Sequence, residues 1–221
     1  MSINIAIDGP AGAGKSTIAK MLAKELNYIY VDTGAMYRAM ALYMIEQKTD
    51  IQNPEAIKGA CAAITIDIQY SDGEQQVILN GRNVNGFIRT EAVSEMSSKI
   101  SAIPEVREKL LSLQRSLAAA SNVIMDGRDI GTHVLPQADV KIFLTADAHV
   151  RAVRRYEEFI AKGMECTLEN VEREVIERDE RDTNRAIAPL KQADDAVRVD
   201  TSAMNIDEVV CHLKQLISER I

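Results

Sequence analysis

The sequence predicts a three-layer α/β/α protein with a mainly parallel sheet and a small antiparallel β subdomain inserted into it. Three observations lead there. Short apolar runs at 3–7, 28–31, 122–125, 140–145 and 197–199 alternate with amphipathic helical stretches, the pattern of strand–helix–strand crossovers. The first run leads straight into Gly9-Pro10-Ala11-Gly12-Ala13-Gly14-Lys15-Ser16-Thr17 and then a helical stretch. Residues 64–84 break the alternation, because their apolar residues recur every second position around turn signals.

Taken in order, residues 3–7 read as a buried strand and 15–26 as a helix with Ile18, Leu22 and Leu26 on one face. Residues 28–31 form a second strand that runs into Asp32-Thr33-Gly34-Ala35-Met36-Tyr37-Arg38. Asp32 or Thr33 can cap a helix reaching Met44, which puts Thr33 where free N–H groups face an anion and Arg38 about one turn further in. A short helix is expected over 54–63. Strands at 64–70 and 76–79 follow, with a turn at Ser71-Asp72-Gly73-Glu74, and Asn80-Gly81 leads to a last segment at 82–84. Thr90 can cap a helix to Ser101. Pro104 suits the first turn of the next helix, whose stripe is Val106, Leu110, Leu113 and Leu117, with Arg107 just off it. The strand at 122–125 ends in Asp126-Gly127-Arg128-Asp129-Ile130-Gly131, at the end of a strand where open α/β sheets place ligands. Asp147 can cap a helix through Lys162, and 165–168 reads as a short mobile connection. The helix from Leu168 sets Arg178, Asp182 and Arg185 at i, i+4 and i+7, on one face; taken alone, an ordinary ion-pair ladder is the commoner reason for that spacing. Residues 206–217 form a closing helix capped near Thr201 or Asn205.

Composition narrows the classes. The 221 residues are 46% hydrophobic and 27% charged, an ordinary globular balance. The net charge of −7 argues against a nucleic-acid partner. No apolar run approaches the roughly 20 residues of a membrane span, and the chain opens on a strand without a basic leader, so a cytoplasmic, monomeric protein acting on small molecules is the expectation. Cys61, Cys166 and Cys211 are far apart, and His133, His149 and His212 are equally scattered, so neither a disulfide frame nor a zinc site is indicated.

Gly9, Gly14, Lys15 and Ser16 match G-x-x-x-x-G-K-[ST] in its required strand–loop–helix setting. Glycines let backbone N–H groups close on phosphate oxygens, Lys15 brings a point charge to the β- and γ-phosphates, and Ser16 can ligate Mg²⁺. The arginines at 38, 107, 128, 178, 181 and 185 suggest a second anion opposite the first. A phosphate acceptor is already nucleophilic at neutral pH and needs no base, whereas a hydroxyl acceptor would call on a carboxylate such as Asp32. The number of arginines favours the phosphate. A GTPase switch is disfavoured, since no Asn-Lys-x-Asp run exists.

The chain resembles the bacterial cytidylate kinase family of nucleoside monophosphate kinases nearly end to end. The resemblance rests on residues 7–17 and 32–38, Ile88-Arg89-Thr90, Val106-Arg107, residues 126–131, and Arg178-Asp-x-x-Arg-Asp-x-x-Arg185. It implies transfer of the ATP γ-phosphate to CMP or dCMP with Mg²⁺. It implies a phosphate-loop core at 1–38 and 103–221, a monophosphate-binding insertion at 39–102 and a short lid at about 155–170. By the same resemblance residues 9–17 hold ATP, and Lys15, Arg38, Arg128 and Arg178 serve the transfer. Thr33, Arg38 and Arg128 hold the acceptor end. Ser98, Arg107, Asp129 and Arg185 surround the cytosine, and Arg178 and Asp182 reach the sugar.

Overall fold

The computed structural model describes residues 2–71, 73–161 and 163–221. Five parallel strands form the central sheet: β1 (Asn4–Asp8), β2 (Ile29–Asp32), β6 (Val123–Gly127), β7 (Val140–Thr145) and β8 (Val197–Asp200), in the order β2-β6-β1-β7-β8. Each predicted strand of this sheet is present within two residues of its expected ends. Since side chains alternate across a strand, the two faces receive different residues. Ile5, Ile7, Tyr30 and Ile124 pack with α1 (Lys15–Leu26) and α8 (Ile206–Ser218), while Ala6, Val31, Val123 and Met125 pack with α2 (Thr33–Glu46) and α5 (Pro104–Ala120). This is the expected three-layer arrangement.

Asp32 caps α2 by accepting from the Ala35 N–H at 2.8 Å, and α2 then runs unbroken past Arg38. α3 (Pro54–Ala63) is capped by Asn53. The meander is β3 (Ile66–Ser71), β4 (Glu74–Leu79) and the two-residue β5 (Arg82–Asn83), paired antiparallel. The turn expected at 71–74 is narrower, because both flanking strands run to Ser71 and Glu74; its Asp72 lies outside the described residues. α4 (Glu91–Ile100) is capped by Thr90, as expected.

In α5 the buried line is Val106, Leu110, Gln114 and Ala118, with Leu113 and Leu117 half-buried beside it. The expected stripe is therefore rotated, and Arg107 sits inside the fold at 8% exposure, not off to one side. One π-helical turn at Ile130–Val134 follows β6, which the sequence did not suggest. α6 (Ala148–Ala161) and α7 (Leu168–Asn184) pack on a small cluster of their own around Ala152, Val171 and Val175. The expected helix end at Lys162 lies outside the described residues. Asn205 and Glu208 form a reciprocal capping box on α8.

Candidate functional site

The C-terminal ends of β1, β2 and β6 open onto one cleft of about 860 Å³. Its lining carries nine Lys and Arg side chains against six Asp and Glu, a local excess of positive charge in a chain whose net charge is −7. The field is thus concentrated where a small polyanion would sit.

On one side is the phosphate loop. Gly12 and Gly14 have φ of 77° and 84°, left-handed values that glycine adopts at no steric cost. Gly9 and Pro10 are buried behind the loop and do not line the cleft, unlike residues 11–17. A Cβ on Gly9 would lie 1.9 Å from the Leu144 carbonyl oxygen, so the absence of a side chain lets the loop cross β7. Lys15 donates to the Pro10 carbonyl at 2.6 Å. Burial, then the nearby Arg128 charge, holds the Lys15 ammonium well below its ordinary pKa. Arg151, 4% exposed, donates to the Ala11 carbonyl at 2.8 Å and to Asp179 on α7 at 2.5 Å.

Between the two sides stands Asp126, at the end of β6. It accepts from Ser16 Oγ at 2.8 Å and from the Tyr30 hydroxyl at 3.0 Å. Burial, then the charge of Asp32, raises its pKa. A hydroxyl and a carboxylate side by side offer the oxygen donors that suit a hard cation such as Mg²⁺. Among the described residues no group of three His, Cys, Asp or Glu could hold a metal alone. Ser16 and Asp126 would supply two of the oxygen donors such an ion takes.

The opposite side is built from arginines. Arg38 donates to Asp32 Oδ2 at 2.9 Å, and Arg89 reaches the same oxygen at 3.4 Å. With Oδ1 engaged in the α2 cap, Asp32 is occupied by structural partners and does not stand free as a base. Thr33 Oγ1 donates to the Asp126 carbonyl at 2.7 Å. Arg128 Nε donates to Asp182 Oδ2 at 2.9 Å. Burial raises the Asp182 pKa, but the Arg128 and Arg178 charges outweigh it and hold the carboxyl below the usual range. Arg178 is pushed down to about 10 by burial and by Arg128. The Nε atoms of Arg38 and Arg178 are buried without a hydrogen-bond partner among the described residues.

Deeper in, Asp129 takes Arg107 on Oδ2 and Arg185 on Oδ1, the latter at 3.0 Å. Tyr37 faces the Arg107 guanidinium at 5.9 Å, and Ser97, Ser98 and Ser101 line the wall beside it. The loop that carries Asp129 is clamped from behind. Asp8 accepts from the Ile130 and Gly131 N–H groups at 2.8 and 2.7 Å.

The structure therefore brings together Lys15, Ser16, Thr33, Arg38, Ser98, Arg107, Arg128, Asp129, Arg178, Asp182 and Arg185. Arg181 does not join them: it is exposed and its Nε donates to the Glu177 carbonyl at 3.3 Å. Sequence reasoning passed over Tyr37, Arg89, Asp126, Arg154 and Arg155, all of which line the cleft.

A parallel sheet with a phosphate loop facing a wall of buried arginines defines a P-loop kinase of the nucleoside monophosphate type. The family model for cytidylate kinase matches residues 5–219, and the chain belongs to that family. It is 51% identical over 218 residues to a cytidylate kinase of Carboxydothermus hydrogenoformans, covering 99% of this chain and 98% of the relative. It is 48% identical over 218 residues to a cytidylate kinase of Lactobacillus johnsonii, covering 99% and 95%. A crystal structure of an uncharacterized protein from Eubacterium ventriosum shares the fold, with a TM-score of 0.55, 13% identity and full coverage of both chains.

Proposed function

We propose that the enzyme transfers the γ-phosphate of ATP to CMP or dCMP, giving ADP and CDP or dCDP, by in-line displacement with Mg²⁺. The observation that carries this reading is Asp129, held between two guanidinium groups across the cleft from Lys15. A carboxylate there can accept from the exocyclic amine of cytosine, while arginine donors can meet its O2 and N3. Uracil offers an acceptor at position 4, a mismatch that costs roughly 1–3 kcal/mol when buried. The names of the full-length relatives support the same substrate.

In this reading residues 11–17 cradle ATP, with Gly9 and Pro10 holding the loop from behind. Thr33, Arg38 and Arg128 hold the acceptor phosphate, Arg178 and Asp182 reach the sugar, and Ser98, Arg107, Asp129 and Arg185 enclose the base. Lys15, Arg38, Arg128 and Arg178 lie between the two polyanions and offset the charge that builds up at transfer, the main demand of this chemistry. Ser16 and Asp126 would hold Mg²⁺, which when bound would supply charge neutralisation for the transfer. Residues 39–102 act as the acceptor-binding insertion, and 155–170 as a lid that excludes water. The enzyme works as a monomer in the cytoplasm; among the described residues no helix is long and apolar enough to cross a membrane.

A coupled assay of ADP release over CMP, dCMP, UMP, AMP and GMP tests this. Turnover is expected to be fastest with CMP or dCMP. Turnover with none of the monophosphates would reject the reading.

A further inference from the structure

Strand β2 is an edge strand, paired only with β6 in the central sheet. Its outward edge would leave backbone groups of Tyr30 and Asp32 without partners, a cost that buried edges do not tolerate. Among the described residues no strand covers them. Two side chains of the inserted hairpin do. The Tyr70 hydroxyl donates to the Tyr30 carbonyl at 2.9 Å. The Gln75 amide does two things at once: its Oε1 accepts from the Asp32 N–H at 2.8 Å and its Nε2 donates to the Asp32 carbonyl at 3.2 Å.

Tyr70 and Gln75 are directly opposed in the β3–β4 ladder, so both side chains leave the same face of the hairpin. Tyr30 and Asp32 are two residues apart, so their backbone groups leave the same edge of β2. The spacings match. Gln75 is 7% exposed, and its own carbonyl is held by Asn85 Nδ2 at 2.7 Å, while Asn85 Oδ1 takes the Val77 N–H at 2.8 Å. The backbone that carries the amide is therefore fixed from behind. What it holds is the backbone of Asp32, the residue that starts α2 and carries Arg38 and Arg89 on one carboxylate oxygen.

We propose that Gln75, outside the cleft, is a positioning residue for the acceptor phosphate: it fixes Asp32, and through Asp32 the Arg38 guanidinium that meets the acceptor. The proposal rests on the acceptor reading given above. It separates Gln75 from Tyr70, which holds the same edge but does not touch Asp32.

Steady-state kinetics of three variants test it: Gln75→Met, which keeps length and removes the amide; Gln75→Glu, which keeps the acceptor and loses the donor; and Tyr70→Phe. Gln75→Met is expected to raise KM for CMP by about fivefold or more with KM for ATP unchanged. Gln75→Glu is expected to give a smaller rise of the same kind. Tyr70→Phe is expected to lower Tm while leaving KM for CMP at the parent value. A KM for CMP equal to that of the parent in a folded Gln75 variant would overturn the proposal. So would a rise that simply follows Tm across all three, including Tyr70→Phe. Should Gln75→Met not fold, Gln75→Glu alone decides. Failure of the acceptor reading is recognised separately, as absence of CMP turnover by the parent enzyme.

Discussion

Ser16 donates its hydroxyl to Asp126 Oδ2 across 2.8 Å, joining the first turn of α1 to the end of β6. The pair brings a carboxylate and the phosphate loop's hydroxyl together at the centre of the cleft. Asp126→Asn removes the charge and keeps the shape, and is expected to lower kcat by about 100-fold or more while raising the Mg²⁺ concentration needed for half-maximal rate. Ser16→Ala leaves the carboxylate in place and should cost less. Rates measured over a Mg²⁺ titration check both; an Asp126→Asn enzyme with the parent's kcat and Mg²⁺ requirement would remove this residue from the site.

Asp129 makes a different prediction, about choice of substrate. Arg107, Arg185 and Asp129 are all less than a tenth exposed as side chains. Removing the carboxylate leaves two buried cations facing each other, a change that costs roughly 3–5 kcal/mol in comparable buried pairs. Asp129→Ala is therefore expected to lower Tm and to narrow the ratio of kcat/KM for CMP over UMP. Thermal unfolding and the two-substrate assay read these separately, and an unchanged ratio contradicts a role in base recognition.

The pH dependence of stability should carry the signature of Asp8. Its pKa is raised from 3.8 to about 6, chiefly by burial, against the two backbone N–H groups that lower it; Asp129 raises it further and Lys15 lowers it. The folded protein binds this proton more tightly than the unfolded chain does. The stability that protonation confers is thus full below about pH 4 and is lost as pH rises through about 6, a swing of about 3 kcal/mol. Urea midpoints of the parent and of Asp8→Asn, compared over this range, should show the parent's advantage shrinking with rising pH. A constant difference between them would contradict the shift.

Gly9 predicts a steric effect. Its φ of 148° and the 1.9 Å that would separate an alanine methyl carbon from the Leu144 oxygen leave no room for a side chain. Gly9→Ala is expected to displace the phosphate loop, raising KM for ATP and lowering Tm. At Gly73, φ is 78° but nothing lies within 4 Å, so Gly73→Ala should cost only about 1 kcal/mol through backbone strain. Melting curves of the two variants side by side test the contrast.

The strands, the phosphate loop and the meander can be read directly because each is written in a short stretch of chain: an apolar run, a glycine spacing, a period of two. Residues that act through tertiary contacts are harder to read. Asp126 opens a motif that is visible in the chain, but its meeting with Ser16 spans 110 positions of sequence. Tyr37 shares a helix with Arg38 and carries no charge to draw attention. Arg107 reads as lying just off the apolar stripe because Leu113 and Leu117 suggest a different phase for α5, where the small Ala118 and the polar Gln114 are in fact buried. Arg181 reads like its neighbours because it shares their spacing, yet its guanidinium folds back onto the Glu177 carbonyl. The π-helical turn at Ile130–Val134 leaves no local signal, since its shape follows from Asp8 and Arg115 gripping it from outside.

The seam at β2 has a consequence for how the insert is held. A continuous ladder would commit the insert's strand to one register along the whole of β2, whereas here a phenol and an amide take the place of that ladder. The edge of the sheet is thus closed by side chains set on opposed positions of one hairpin, so its contact with β2 depends on two residues and not on the pairing of a whole strand.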